Sequence, residues 1–366
     1  MKNSFGTSVI VTLFGESHGE QIGAVVDGFA PGIPIDEAYI ASRLAQRRPV
    51  DTLSTARREP DEYRIVSGVK GGYTTGAPLT VLIPNVDTVS ADYERAPSIA
   101  RPSHADYTAY CKYHGYEDRH GGGHFSGRLT APLVAVGAIA STALLSAGVS
   151  IGTHISRLAG ITDRPFGRDL EADMDYLSDC TFPVLDTAAG TAMRDAILSA
   201  RAEGDSVGGV LETAVLGVPA GVGEPWFDGV ENALARALFG IPAVKGVEFG
   251  GGFAMCDRRG SEVNDAFCPG ENGPVTRTNF SGGIQGGITN GMPIIFRCAV
   301  KPTPTILREQ QTVNFVTNEA ATLTAYGRHD PAIVHRARAV VDAVTALVLC
   351  DLLSGRYGTD FFGEEA

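Results

Sequence analysis

Three short segments of the chain gather residue types that move protons or hold anions. Gly15-Glu-Ser-His-Gly19 sets His18 between glycines, directly after a strand-like run. Arg101-Pro-Ser-His-Ala-Asp-Tyr107 sets His104 at a helix start, where the N-terminal dipole favours the neutral ring. Gly327-Arg-His-Asp-Pro331 places Arg328, His329 and Asp330 ahead of a long apolar stretch. At such positions a side chain can face a ligand while nearby backbone N–H groups bind an anion. Each also has a plainer reading, His18 as a turn histidine, His104 as a surface residue and Asp330 as a helix cap followed by proline. Three of them in one acidic, lysine-poor chain suggest an enzyme that handles a small phosphorylated acid.

A fourth segment, His120-Gly-Gly-Gly-His124-Phe-Ser-Gly-Arg128, is open to two readings. Its histidines could hold a metal, but no third ligand is near in sequence, so no metal site is expected. The favoured reading is a glycine loop whose amides hold phosphate or flavin oxygens. There is no G-x-x-x-x-G-K-[ST] motif and no dinucleotide fingerprint between a strand and a helix.

The elements that must position these residues follow from periodicity and punctuation. Ser8 to Phe14, Ile22 to Val26, Tyr63 to Val66, Leu79 to Ile83, Val210 to Leu216, Val244 to Phe249 and Ile294 to Val300 read as strands. Asp36 can cap a helix that Pro49 stops, with Arg43 and Arg47 on one face and Arg48 at its end. Ser103 can cap a helix to Tyr113, Asp228 one to Phe239, and Asp330 one running to Leu353 before Gly355. Thr191 to Ala202 is helical. Residues 163–186 read as an acidic, irregular surface excursion, and residues 258–278 as a polar loop. Leu129 to Thr153 carries no charge and is long enough to span a bilayer. Pro132, Gly137, Gly148 and the missing aromatic belt favour a buried core helix over residues 132–147 instead. Strands and helices mix without βαβ alternation, which points to an α+β fold. No linker divides the chain, so residues 1–366 read as a single domain.

Composition agrees with a globular enzyme. Apolar residues make up 43% of 366, enough for a large core, and the net charge of −12 argues against a general nucleic-acid binder. Of the 30 basic residues only Lys2, Lys70, Lys112, Lys245 and Lys301 are lysines. The rest are arginines, whose planar fork suits carboxylate and phosphate. Six scattered cysteines and an N-terminus lacking an apolar leader read as a reduced, cytoplasmic protein.

The motifs in order resemble chorismate synthase. Besides those above they include Ile22-Gly-Ala-Val-Val-Asp-Gly28, Arg47-Arg-Pro49, Arg57-Arg-Glu-Pro-Asp61, Gly204-Asp-Ser206, Ile241-Pro-Ala-Val-Lys-Gly246, Ser281-Gly-Gly-Ile-Gln-Gly-Gly287 and Lys301-Pro302. Their spacing holds from about residue 5 to 353. The resemblance implies a β-α-β sandwich, with helices between antiparallel sheets, assembled as a homotetramer. It implies an anti 1,4-elimination of phosphate from 5-enolpyruvylshikimate 3-phosphate that gives chorismate and needs reduced FMN without net redox change. In the family's scheme flavin lends an electron, phosphate leaves, and flavin takes back the electron and a hydrogen.

Roles carry over by motif. His18 protonates the leaving phosphate, His104 lies near flavin N1 and the C2 carbonyl, and Asp330 helps remove the proton at flavin N5. Arg47, Arg48, Arg128 and Arg328 bind the substrate's phosphate and carboxylates. Flavin contacts map to His124, Phe125, Ser126, Ala243, Gly286, Lys301, Pro302, Thr303, Pro304, Thr305 and Arg328. This chain also departs from its relatives. His124-Phe-Ser-Gly-Arg-Leu-Thr130 stands where most have Arg-Ser-Ser-Ala-Arg-Glu-Thr, so His124 takes an arginine's place. Leu53 stands where many relatives have an arginine linked with NADPH; the resemblance allows NADPH only as an external reductant and leaves the source of reduced FMN open. Arg338 and Ala339 replace Val-Pro, which predicts a straighter helix.

Overall fold

Alternating burial builds two five-stranded sheets in the computed structural model, which describes residues 2–49, 53–54, 59–86, 98–271, 273–324 and 330–363. Leu79–Pro84 buries Leu79, Val81 and Ile83, and Ile294–Val300 buries Ile294, Phe296, Cys298 and Val300. Side chains in a strand point to alternate faces, so each strand offers one face to the core. The first sheet runs Ser4–Phe5, Ile10–Gly15, Gln21–Asp27, Leu79–Pro84, Arg64–Ser67 in space. The second runs Val244–Phe249, Ile294–Val300, Gly209–Leu216, Ser150–Leu158, Ile161–Thr162. Neighbouring strands within both are antiparallel.

Helices fill the space between the sheets. Thr130–Ser146 packs on Gln21–Asp27 and Leu79–Pro84 of the first sheet, and on the C-terminal helix Val334–Tyr357. That C-terminal helix packs in turn on Ser150–Leu158 and Gly209–Leu216 of the second sheet. A Cβ on Gly137 would collide with Ala343, so glycine lets the two helices approach closely. The Gly127–Ser146 stretch, long and apolar enough to cross a membrane and charged only at Arg128, lies mostly buried inside the protein. It is the expected core helix, beginning at Thr130. The architecture is the α+β sandwich anticipated above.

Several local expectations need correction. Asp36 caps Glu37–Arg47 as expected, accepting from the Tyr39 N–H at 2.8 Å. Ser103 caps nothing; its helix begins at Asp106 after Ala105, and the Asp106 carboxylate is taken by Arg101 and His104. Gly229, not Asp228, precedes Val230–Leu238. Asp330 is not a helix cap either. The helix starts at Val334 after Ile333 and runs through Gly355 to Tyr357, while Arg336 binds the Asp330 carboxylate. Residues 163–186 hold the helix Leu170–Ser178, and residues 258–278 hold the hairpin Phe267–Gly270 with Gly273–Thr276. Ser150–Leu158 and the hairpin Glu309–Asn314 with Glu319–Thr324 had no counterpart in the sequence reading.

Asp163 is buried because of a charge ladder across the second sheet. His154 is fully buried, with Nδ1 2.9 Å from Asp163 and Nε2 3.0 Å from Glu212. Arg297 continues the ladder, 3.1 Å from Glu212 and 2.7 Å from Glu248. Burial alone would lower the His154 pKa, but hydrogen bonds and charge from Asp163 and Glu212 win and raise it.

Candidate active site

The triple glycine is the hinge of the site. Gly121, Gly122 and Gly123 have φ of 60°, 86° and 52°, a left-handed run that other residues rarely adopt. The backbone therefore passes tightly between two histidines. A Cβ on Gly121 would fall on the His18 ring and 2.8 Å from Ser17 Oγ, and one on Gly122 would lie 3.5 Å from His104 Nε2. The Ser17 N–H donates to the Gly123 carbonyl at 3.1 Å, and His124 Nδ1 donates to the Gly15 carbonyl at 2.8 Å. His120 and His124 thus face different partners, since His120 Nδ1 meets Asp118.

His104 is held by charge. Its Nδ1 lies 2.9 Å from Asp106, which also accepts from Arg101 Nε at 2.8 Å and from its NH2 at 2.7 Å. Burial opposes ionisation of Asp106, but the Arg101 and His104 hydrogen bonds outweigh it and hold the carboxyl well below the usual range. An ionised carboxylate only accepts, so Nδ1 carries a proton and Nε2 is left toward Gly122.

The segment after Ile294–Val300 joins the same group. The Lys301 N–H donates to the Ala243 carbonyl at 2.9 Å, and its Nζ donates to the Ser103 carbonyl at 2.6 Å. Ala243 has φ 73°, unusual for a residue with a Cβ. Burial, then Lys245, pulls the Lys301 ammonium below its usual pKa. Ser206 Oγ donates to the Thr303 carbonyl at 2.7 Å, and the Val207 N–H donates to the Pro331 carbonyl at 2.8 Å. Pro302 and Pro304 fix the backbone between Lys301 and the buried Thr305.

The arginines form a buried cluster around Asp61. Arg47 NH2 donates to Asp61 at 2.9 Å, and Arg128 NH1 donates to its other oxygen. Arg128 Nε reaches Asn85 Oδ1 at 3.0 Å and its NH2 the Pro84 carbonyl at 3.1 Å, with Glu59 3.6 Å away. Burial opposes the Asp61 charge, but Arg47 and Arg128 hold its pKa below the carboxylate range. Burial lowers the Arg47 pKa; Asp61 opposes that shift, and Arg336 and Arg128 add to it. Arg336 therefore stands close to Arg47 while pairing with Asp330. Three guanidiniums face three carboxylates, Glu59, Asp61 and Asp330.

The structure thus brings together His18, His104, His124, Ala243, Lys301 and Thr303 in one set of contacts, and Arg47, Arg128 and Asp330 in a second. Ser126 Oγ accepts from the Arg128 N–H at 3.3 Å and so links the glycine loop to Arg128. Phe125 is half-exposed, edge-on to Tyr113 at 6.1 Å. Arg48 turns away and donates to the Pro60 carbonyl at 3.3 Å. Gly286 sits in the turn between Ile284–Gln285 and Ile288–Thr289, and no hydrogen bond among the described residues ties it to the histidines. Arg328 lies outside the described residues. Sequence reasoning missed Arg336 and the binding partner Asp61; Asp61 lies inside the Arg57–Asp61 motif, whereas Arg336 lies beyond the last one and gave no signal.

The residues fit a ligand bearing anionic oxygens, such as reduced FMN or a phosphorylated acid. Ser17 Oγ, Thr303 Oγ1, Arg47 Nε and Arg336 Nε are buried without a hydrogen-bond partner. Buried polar groups are normally satisfied, so these four donors mark where ligand acceptors belong. Two surface depressions, one at Gly250, Asn279 and Phe280 and one at Thr7, Arg236 and Asp351, contain none of these residues.

Comparison with known proteins agrees. A sequence model of the family described as chorismate synthase matches residues 9–353. The chain is 46% identical over 352 residues to a protein named chorismate synthase from Aeropyrum pernix, covering 96% of this chain and 93% of the relative. It is 45% identical to another of that name from Pyrococcus abyssi, covering 95% and 96%. A solved structure, "Crystal Structure of Chorismate Synthase", superposes with a TM-score of 0.76 at 28% identity, covering 97% of this chain and 94% of that one.

Proposed function

On the premise that this chain belongs to the chorismate synthase family, and so is a carbon–oxygen lyase of aromatic amino-acid biosynthesis that forms chorismate and phosphate from 5-enolpyruvylshikimate 3-phosphate, we propose how its residues divide the work. His18 donates a proton to the departing phosphate. The observation that carries this reading is the glycine loop, which leaves His18 and His104 on either side of one backbone passage. Arg47, Arg128, Arg336 and Arg328 bind the phosphate and carboxylates, with Arg48 at the rim. Asp61 and Asp330 hold Arg47, Arg128 and Arg336 in place until the substrate's oxygens reach the vacant Nε donors of Arg47 and Arg336.

Reduced FMN, required by the family, supplies when bound the transient electron that lets a non-acidic C6–H bond and a C–O bond break without net redox change. His124, Phe125, Ser126, Ala243, Gly286, Lys301, Pro302, Thr303, Pro304, Thr305 and Arg328 hold it. His104 presents Nε2 toward the N1 and C2 carbonyl edge, and ionised Asp106 stabilises the ring when it gains a second proton. Asp330 accepts the proton at N5, and Arg336, the counter-ion of its resting carboxylate, keeps the side chain in place.

The enzyme works in the cytoplasm as a single domain over residues 1–366 and as a homotetramer. Trp226 and Phe227, 81% and 86% exposed, give it apolar surface for a subunit contact. Its reduced flavin comes from outside, since buried Leu53 offers no charge to NADPH. Anaerobic incubation with dithionite-reduced FMN and substrate tests the activity. Chorismate and phosphate should form in equal amounts with the flavin still reduced; folded protein that forms neither would refute the reading.

A further inference from the structure

Beside His18 stands a second histidine that the reaction above does not use. The His120 ring lies edge-on to the His18 ring, centroids 6.5 Å apart at 69°. Asp118 fixes it twice: Oδ1 accepts the His120 N–H at 3.0 Å and lies 2.7 Å from His120 Nδ1. The same carboxylate thus pins the turn and the ring tautomer. With Nδ1–H committed to Asp118, Nε2 is the nitrogen left to exchange protons. The side chains of His120 and Asp118 are 44% and 32% exposed, so the dyad reaches solvent. Gly121, next in the chain, lets the backbone pass close to His18, where any Cβ would fall on the ring, and so sets the spacing of the two histidines.

The geometry points to a proton-feeding role for the Asp118–His120 dyad, which reloads His18 between turnovers. This rests on the reading of His18 as the phosphate's proton donor. Each elimination removes one proton from His18 with the phosphate and releases one from substrate C6, so the reaction is proton-neutral overall. His18 must still be reprotonated before the next cycle. Substrate and flavin in the cleft would cover it, whereas His120 keeps its face to water. His120 Nε2 takes a proton from solvent, Asp118 stabilises the imidazolium, and one bridging water spans the gap to His18. In this role His120 acts only through His18.

The test separates the first turnover from later ones. His120→Ala should release about one equivalent of phosphate per site at near the wild-type rate. Steady-state turnover should then fall by roughly 10- to 100-fold, short of the ~10²–10⁴-fold span for losing the general acid itself. Added imidazole should restore much of the steady-state rate. Asp118→Asn, which keeps the acceptor oxygen and hence the turn, should show the same burst in weaker form. Equal loss in both phases without imidazole rescue would reduce the dyad to a loop anchor, and steady-state rates within twofold of wild type would remove its role altogether. His18→Ala is the separate control. If that variant keeps a normal first turnover, the His18 reading itself falls, whatever the His120 variants do.

Discussion

Replacing Asp61 by asparagine tests the arginine cluster most directly. Both Asp61 oxygens are engaged, its side chain is 0% exposed, and Arg47 and Arg128 are 9% and 3% exposed beside it. Its φ is 53°, a left-handed value that asparagine also tolerates. The backbone should therefore survive and only the charge be lost. Removing one partner of a buried ion pair costs ~3–5 kcal/mol, and an amide oxygen can still accept from one guanidinium, so ~3 kcal/mol is expected. For a chain of this length that is a fall in Tm of ~4 °C. Asp61→Ala should lose a further ~1–2 kcal/mol from the strained φ. Urea unfolding of both variants, with substrate titration, is the assay. The substrate KM should rise ~10-fold or more as the two guanidiniums move apart, a loss of about 1.4 kcal/mol in binding. The wild-type contribution should be full above the unfolded carboxylate pKa of ~4 and vanish as pH falls through the lower folded value. An Asn variant within 1 kcal/mol of wild type with unchanged KM would refute the cluster as an Asp61-centred unit.

Two further outcomes are expected. Asp330→Asn should lower stability through its lost ion pair with Arg336 rather than through a cap, and lose ~10²–10⁴-fold in turnover as the proton acceptor. Turnover within a few-fold would leave it as the counter-ion of Arg336 alone. His154→Gln should cost ~3–5 kcal/mol near pH 6. The raised folded pKa of His154 means its charge stabilises fully below the unfolded value of ~6.5 and less as pH rises through the folded value, while Asp163 and Glu212 keep their contribution down to ~4. The gap between variant and wild type in urea should therefore narrow toward alkaline pH; a gap independent of pH would contradict the clamp.

What could be read from the sequence was local. Alternation in Leu79–Pro84 and Ile294–Val300, the Asp36 cap and the uncharged core helix all depend on neighbours within a few residues. Three of the failures share one cause, an acidic residue claimed by a distant or unexpected cation. Asp330 has the form of a helix cap before proline, but Arg336 takes it first. Ser103 stands where a cap would, but the helix begins later, at Asp106, whose two oxygens Arg101 and His104 take. Asp163 looks like solvated surface, but His154 draws it inward. The site shows the same division. His18, His104 and Arg128 were visible in their motifs, whereas the meeting of Arg47 with Arg128 through Asp61, 14 and 67 residues away, was not.

That division bears on how the site tolerates change. Its proton-handling side is assembled from glycine turns and backbone hydrogen bonds that join residues 15–19, 101–106, 120–124, 243 and 301–303. Its binding side is assembled from buried ion pairs. Loops tied by single backbone bonds contribute little to global stability, so an error there shifts a ring by a fraction of an ångström and shows in turnover. Buried ion pairs left half-occupied cost several kcal/mol and show in folding as well. Substitutions on the two sides should therefore separate: those near His18 and His104 should leave melting almost unchanged, and those at Asp61, Arg47 or Arg128 should lower melting and substrate affinity together.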